Sequence, residues 1–263
     1  MADTVTGFYD GLADEYHLLF PDWDASVRRQ GVILDRLIAA QLGREPGGQS
    51  ERAPVAILDC SCGIGTQAIG LAERGYRVHA TDISPAAVKR ATREAARFGV
   101  SLTTGVADLR ALDTVPDTYD VVLSCDNAVP HLLTDDDLEL AASGMHARLR
   151  EGGLLVISLR DYDQLLAERP RADLPRVFER PTGRQIAFQV WDWAADAPTY
   201  TVHQFIVHEA AGGAWQTHHE AAIYRALQRH ELTGTLRHVG FHDIRWHEPS
   251  DSGYYQPIVT ARR

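Results

Sequence analysis

Short apolar runs, separated by stretches of helical period, set the rhythm of this chain. Val55–Leu58 ends in Asp59, and Tyr76–Ala80 ends in Thr81-Asp82. Val100–Gly105 leads into Asp108-Leu109, Tyr119–Cys125 ends in Asp126-Asn127, and Leu154–Leu159 follows the turn Glu151-Gly152-Gly153. Apolar runs of this length, with little alternation, are the mark of parallel strands buried on both faces. Between them the spacing predicts helices. One continues from the first turn through Ala68, Ile69 and Leu71, and one starts at Ser84-Pro85 and reaches Phe98. A third covers 135–150. Ser84 is a helix cap and Pro85 suits the first helical position. This alternation predicts an α/β fold with a doubly wound, mostly parallel sheet.

After Asp163 the pattern changes. Residues 169–181 are rich in Pro and Arg and read as irregular. Gln185–Trp193, Thr199–Glu209 and Trp215–Tyr224 alternate with period two, with turn residues at 195–198 and 211–213. Three such segments predict an antiparallel three-stranded meander, inserted as a lid over the carboxyl end of the main sheet. A helix over 226–239 and strands over 242–248 and 254–261 complete a seven-stranded sheet. Upstream, Phe8-Tyr9, Tyr16, Leu18-Leu19-Phe20 and Trp23 form an aromatic-rich helical segment, either packed on the sheet edge or closing over a ligand. An amphipathic helix over 25–42 and a loop over 43–53 follow. The organisation expected is an N-terminal helical lid segment (1–54), an α/β core (55–165), an antiparallel insertion (166–225) and a C-terminal helix with two strands (226–263).

Composition narrows the classes. The chain has 263 residues, 44% apolar and 24% charged, with a formal net charge of −10. That charge opposes general affinity for nucleic acid or anionic membranes. No apolar run approaches a membrane span, and Met1–Val5 lacks a charged-then-apolar leader. Three cysteines, Cys60, Cys62 and Cys125, make no disulfide framework and read as reduced thiols in a cytoplasmic protein. Homo-oligomer formation stays open.

The candidate chemistry gathers around Val55–Gly70, a strand, a tight turn with Gly63 and Gly65, and a helix start. Gly63-x-Gly65-x-x-Ala68, with Asp82 a suitable distance on, satisfies the loose dinucleotide pattern, so a nicotinamide-dependent oxidoreductase is a rival. Asp59 argues against it, because a carboxylate in the turn repels a pyrophosphate and suits an ammonium or sulfonium group. Asp82 can take two ribose hydroxyls, and Asp108 can take an adenine amino group. An acid, a glycine turn, a ribose acid and an adenine acid in successive loops describe S-adenosylmethionine. His218-His219-Glu220 is a poor metal candidate, since adjacent residues of a strand face opposite sides. No metal is expected.

Ile57-Leu58-Asp59-Cys60-Ser61-Cys62-Gly63-Ile64-Gly65-Thr66 resembles the first motif of class I S-adenosylmethionine-dependent methyltransferases, Leu-Asp-x-x-Cys-Gly-x-Gly. Residues 127–132 and 152–163 are similar to stretches of the glycine N-methyltransferase and glycine/sarcosine methyltransferase family. The resemblance covers residues 8–163 well and the remainder in layout. It implies a Rossmann-like methyltransferase fold and a cofactor site comprising Asp59, Cys62, Gly63, Gly65, Gln67, Asp82, Ile83, Asp108, Leu109, Cys125 and His131. An Arg of the first long helix would hold the cofactor carboxylate, with Arg28 and Arg29 in competition and Arg29 favoured. Tyr16 and Trp23 match the aromatic entrance loosely. The mammalian glycine enzyme has Asn and Trp where this chain has Asp108 and Leu109, which implies weaker stacking on the adenine.

For the methyl acceptor, the resemblance points to Asn127, Arg160, Tyr162 and His131. Arg160 would grip a carboxylate through paired charge-assisted bonds, unless it forms an ion pair with Asp161 or Asp163. Tyr162 either lines the pocket or packs, Tyr224 and Tyr254 are weaker candidates of the same kind, and His131 is the nearest base. The implied activity is methyl transfer from S-adenosylmethionine to a small polar acceptor, foremost an amine with a carboxylate nearby. An O- or C-methyltransferase on the same scaffold and a non-catalytic cofactor-binding module are the alternatives.

Overall fold

The computed structural model describes residues 4–46, 54–180, 183–195, 198–209 and 213–263. The first residues of the chain, much of the loop expected over 43–53 and parts of the turns expected at 195–198 and 211–213 lie outside the described residues.

The chain opens with α1 (Thr4–Leu12), a short 3-10 turn (Tyr16–Leu19) and α2 (Trp23–Leu42). Asp22 starts α2 by accepting the Ala25 N–H at 2.9 Å, and Gly43, at φ 62°, ends it. The core then alternates β1 (Ala56–Asp59), α3 (Thr66–Ala72), β2 (Arg77–Asp82), α4 (Pro85–Arg97), β3 (Thr103–Val106), β4 (Tyr119–Ser124), α5 (Asp135–Arg148), β5 (Leu149–Ser158) and α6 (Tyr162–Glu168). The Ser84 cap forms as expected, its hydroxyl accepting the Ala87 N–H at 3.0 Å. Four further strands follow: β6 (Arg176–Arg180), β7 (Gly183–Trp193), β8 (Thr199–Glu209) and β9 (Trp215–Arg225). The chain closes with α7 (Arg229–His238), β10 (His242–His247), α8 (Pro249–Ser252) and β11 (Ile258–Arg262).

Seven strands form one sheet in the order β10-β11-β5-β4-β1-β2-β3. Pairings from β5 to β3 are parallel, whereas β11 runs antiparallel to both β5 and β10. Ile57, Leu58, Val121, Val122 and Leu155 are all at or near zero exposure, as two-sided coverage by helices requires. Strand order reverses between β1 and β4, so the crevice that receives ligands in such sheets opens at the carboxyl ends of β1, β2 and β4.

Two expectations need correction. The lid has four strands, in the order β6-β7-β8-β9. Residues 176–180 pair antiparallel with β7 as a short edge strand that begins just after Pro175, a position where proline removes no ladder donor. Strand β5 begins at Leu149, paired with Tyr119, and the glycines expected as a turn form an irregularity within it.

Helices α2 and α3 cross with their backbones in contact. A Cβ on Gly31 would lie 2.5 Å from the Gly70 carbonyl oxygen, and one on Gly70 would lie 2.4 Å from the Val27 oxygen. Only glycine permits this approach.

Candidate functional site

The turn after β1 is held from β2. Asp82 accepts the Gly63 N–H at 2.8 Å on one carboxylate oxygen and the Ser84 N–H at 2.9 Å on the other. Each oxygen keeps a lone pair for a ligand. Gly63 has φ 52°, and a Cβ there would meet no protein atom within 4 Å; it would stand in the cavity that Gly63 lines. Burial raises the Asp82 pKa, partly offset by its two N–H donors.

This cavity, of about 300 Å³, reaches the lower bound of ordinary small-ligand sites. Cys62, Gly63, Gln67, Asp82, Ile83, Asp108, Leu109, Cys125 and His131 all line it, as does Tyr16. All three cysteines are free and buried. Asp108 accepts the Arg110 backbone N–H and pairs with its guanidinium at 2.6 Å. Burial acts to raise the Asp108 pKa, but these bonds outweigh it and hold the carboxyl below its usual range. His131 shares a 2.9 Å hydrogen bond with the Tyr9 hydroxyl and lies against the Tyr224 ring at 4.0 Å.

A second cavity, of about 290 Å³, adjoins the first. Tyr9, Tyr16 and Asp126 line both, so they form the wall between them. Asp126, at φ 59°, accepts Gln67 Nε2 and the Tyr254 and Tyr255 hydroxyls at 2.6 Å each. Burial raises its pKa against the pull of these donors.

Asn127 and Arg160 line the second cavity, tied to the lid by a closed ring of hydrogen bonds. Asn127 Oδ1 accepts the Arg160 backbone N–H at 3.1 Å and the Tyr162 hydroxyl at 2.9 Å. Tyr162 therefore accepts from Tyr200, 2.9 Å away, and Tyr200 accepts Arg160 Nη1 at 3.3 Å. The backbone donor settles the amide's orientation and leaves Nδ2 for the cavity. Arg160 Nη2 donates to Gln189 at 2.8 Å, and the guanidinium lies 4.8 Å from the Trp191 ring centroid. Among the described residues, Asp161 and Asp163 pair with Arg229, not with Arg160.

Asp59, Gly65, Trp23 and Tyr162 line neither cavity, nor do the weaker candidates Tyr254 and Arg28. Asp59 is buried beneath the turn, with Oδ1 3.3 Å from the Ser61 N–H and Oδ2 without a hydrogen-bond partner; burial raises its pKa strongly. Gly65, at φ 97°, caps α3, and a Cβ there would lie 2.9 Å from Ile69 Cδ1. Trp23 donates to Thr66 at 3.0 Å and packs edge-on against Phe98. Tyr162 is fully buried within the ring of hydrogen bonds. Arg29 lines the second cavity, whereas Arg28 approaches Glu73 at 4.0 Å and lies over Phe98.

Several residues were missed. Tyr200, Gln189, Gln204 and Trp191 belong to the lid's inner face, which strand alternation suggests only once register is known. Gln30 stands beside Arg29 with Oε1 accepting from Gln67, while its buried Nε2 has no partner. A carboxylate in the second cavity would supply the missing acceptor.

Residues 57–153 match the family model described as a methyltransferase domain. Over these residues this chain resembles a methyltransferase domain. The segment matched by the model contains β1 through the glycines of β5. The glycine/sarcosine N-methyltransferase of Parasynechococcus marenigrum (strain WH8102) is 32% identical over 146 residues, 55% of this chain and 48% of that protein. The chain thus spans about half the length of this curated relative. Among solved structures, DesVI of Streptomyces venezuelae superposes with a TM-score of 0.77 at 15% identity, covering 95% of this chain and 97% of that one. CalS10 of Micromonospora echinaspora, an amino pentose methyltransferase with S-adenosylmethionine bound, gives 0.69 at 17% identity, covering 90% and 92%. These likenesses extend the methyltransferase fold beyond the matched segment to the lid. Among the described residues no helix is long and apolar enough to cross a membrane.

Proposed function

We propose that this chain transfers the methyl group of S-adenosylmethionine to the amine of a small, carboxylate-bearing acceptor. The observation that carries the reading is the pair of cavities sharing a wall of Tyr9, Tyr16 and Asp126, one lined by acids and the glycine turn, the other by Arg160 and Asn127. The residues fit the cofactor. Asp82 has free lone pairs for adjacent hydroxyls, Gly63 leaves room beside it, and Asp108 and Leu109 face the same space. Arg29, with the unpartnered Gln30 Nε2, suits the cofactor's carboxylate.

When bound, the cofactor supplies an electrophilic methyl on a sulfonium sulfur. The chain's own residues would position the acceptor and exclude water. Arg160 and Asn127 Nδ2 present donors to a carboxylate, and Asp126 presents a carboxylate at the dividing wall to an amine. Burial pushes the Tyr224 pKa up to about 12, so this ring stays neutral against His131. Tyr9, hydrogen-bonded to His131, stands where an acceptor proton could leave. The glycine/sarcosine and amino pentose methyltransferases it resembles are named for amine-bearing substrates, which supports the amine reading.

The test is a screen of amino acids and amino sugars for S-adenosylhomocysteine release, with product mass measured. A carboxylated amine should gain 14 mass units per transfer, the mass of a CH₂. With Arg160→Ala, the apparent KM for that acceptor should rise by about 10²-fold, as loss of a paired charge-assisted contact implies, with cofactor affinity nearly intact. Turnover only of acceptors lacking an amine would refute the reading.

A further inference from the structure

The wall of the second cavity is rich in hydrogen-bond donors. Arg29, Arg160 and Arg176 line it, with Asp126 as the carboxylate beside them. Asp126 already accepts from Gln67, Tyr254 and Tyr255. Among the described residues none of the three guanidinium groups pairs with a carboxylate. Arg29 donates to Ser26, Arg160 to Tyr200 and Gln189, and Arg176 to the Leu19 carbonyl at 3.2 Å. Gln256 Oε1 accepts from Ser158 at 3.3 Å, which leaves its Nε2 as a further donor on the same wall. A cofactor carboxylate at Arg29 and an acceptor carboxylate at Arg160 would leave Arg176 uncompensated. Like charges facing one cavity of about 290 Å³ repel each other, and a bound anion relieves that repulsion.

Pairing register sets where Arg176 stands. It lies opposite Ala187 of β7, so it shares the inner face of the lid with Gln189, two residues further along. Diagonal neighbours of this kind have Cβ atoms about 7 Å apart, and Ala187 between them carries only a methyl group. Gln189 is also the residue that accepts Arg160 Nη2, at 2.8 Å. The two guanidinium groups therefore flank one glutamine, Arg160 half-buried on the core side and Arg176 exposed at the rim. Neither nearby acid neutralises Arg176. Asp173 accepts the Gln189 backbone N–H, and Glu179 falls on the opposite face of β6.

We propose, building on the amine-methylation reading of this cavity, that Arg176 binds a second anionic group of the acceptor, a carboxylate or a phosphate. The preferred substrate is then an amine bearing two acidic groups. One acid lies between Arg160 and Asn127, the amine meets Asp126 at the dividing wall, and the second acid reaches Arg176 at the opening. A guanidinium holds either anion through charge-assisted bonds and gives an uncharged amide no such contact.

Calorimetry on the full chain with S-adenosylhomocysteine present reads acceptor binding without turnover. Wild type should bind glutamate at least about tenfold more tightly than glutamine, its uncharged counterpart. Aspartate against asparagine, and O-phosphoserine against serine, separate a carboxylate from a phosphate as the second group. Arg176→Gln should cut the preference to within about twofold, and Arg176→Lys should retain part of it. An equal loss of glutamate and glutamine affinity would assign Arg176 to holding the Leu19 turn and overturn the proposal. Equal wild-type affinities within every pair, or no binding of any diacid, would overturn it as well. The two readings fail separately: a diacid preference that Arg176→Gln abolishes, with no methyl transfer to any amine, would sink the amine reading and keep the diacid site.

Discussion

Replacing Tyr162 with Phe removes one oxygen from the ring that joins the core to the lid. The side chain is 1% exposed, and phenylalanine fits the same space, so the change isolates the hydroxyl. Two hydrogen bonds of 2.9 Å are lost, to Asn127 Oδ1 and to Tyr200. At about 1 kcal/mol for each buried bond, the loss is about 2 kcal/mol. For a chain of this size that lowers Tm by about 4–8 °C. Asn127 then keeps only the Arg160 backbone donor on Oδ1, and the Tyr200 proton loses its acceptor, so both groups facing the second cavity gain freedom. A loss of about 1.4 kcal/mol in acceptor positioning would raise KM about tenfold. Tyr162 lies outside the first cavity, so S-adenosylhomocysteine affinity by calorimetry should stay within about twofold. Unchanged Tm and KM would refute the ring's role. An equal fall in cofactor affinity would show that the ring does not act on the acceptor alone.

Asp82→Ala should weaken S-adenosylhomocysteine binding by at least about 10²-fold, because the carboxylate also holds the Gly63 and Ser84 N–H groups; unchanged calorimetric affinity would remove the ribose assignment. His218 bonds Glu15 at 2.8 Å and Glu220 at 3.2 Å, tying the N-terminal segment to β9. Burial acts to lower its pKa, but these carboxylates outweigh burial and raise it. Its contribution is therefore complete below the ordinary histidine pKa of about 6.5 and is lost as pH rises through the raised folded value. The Tm advantage of wild type over His218→Gln should accordingly shrink on going from mildly acid to alkaline buffer, and a constant difference would count against the latch.

Most of the main sheet was legible because each buried strand is a short apolar run punctuated by an acid or a turn. The acids Asp82 and Asp108 fell at strand ends that the topology brings to one crevice. Strand β6 was hidden because its two arginines and flanking prolines outweigh Val177 and Phe178 in any composition count. Trp23 was read with the entrance aromatics, yet its indole turns to Thr66 and Phe98, a choice of helix face that spacing alone does not reveal. The contribution of Gln189 and Tyr200 depends on long-range register between the lid and the core. Asp59 carried the sequence argument against a pyrophosphate, but it acts from beneath the turn, where its buried carboxyl lines neither cavity.

The bare contact between Gly31 and Gly70 leaves no compliant side chain between α2 and α3. A displacement of one helix passes directly to the other, as between two machined faces. Arg29 and Gln30 immediately precede Gly31, while Gly70 belongs to the helix that springs from the glycine turn. The two ends of the bipartite site are therefore gauged against each other by backbone alone, and a single added methyl group at either glycine would alter the span between them.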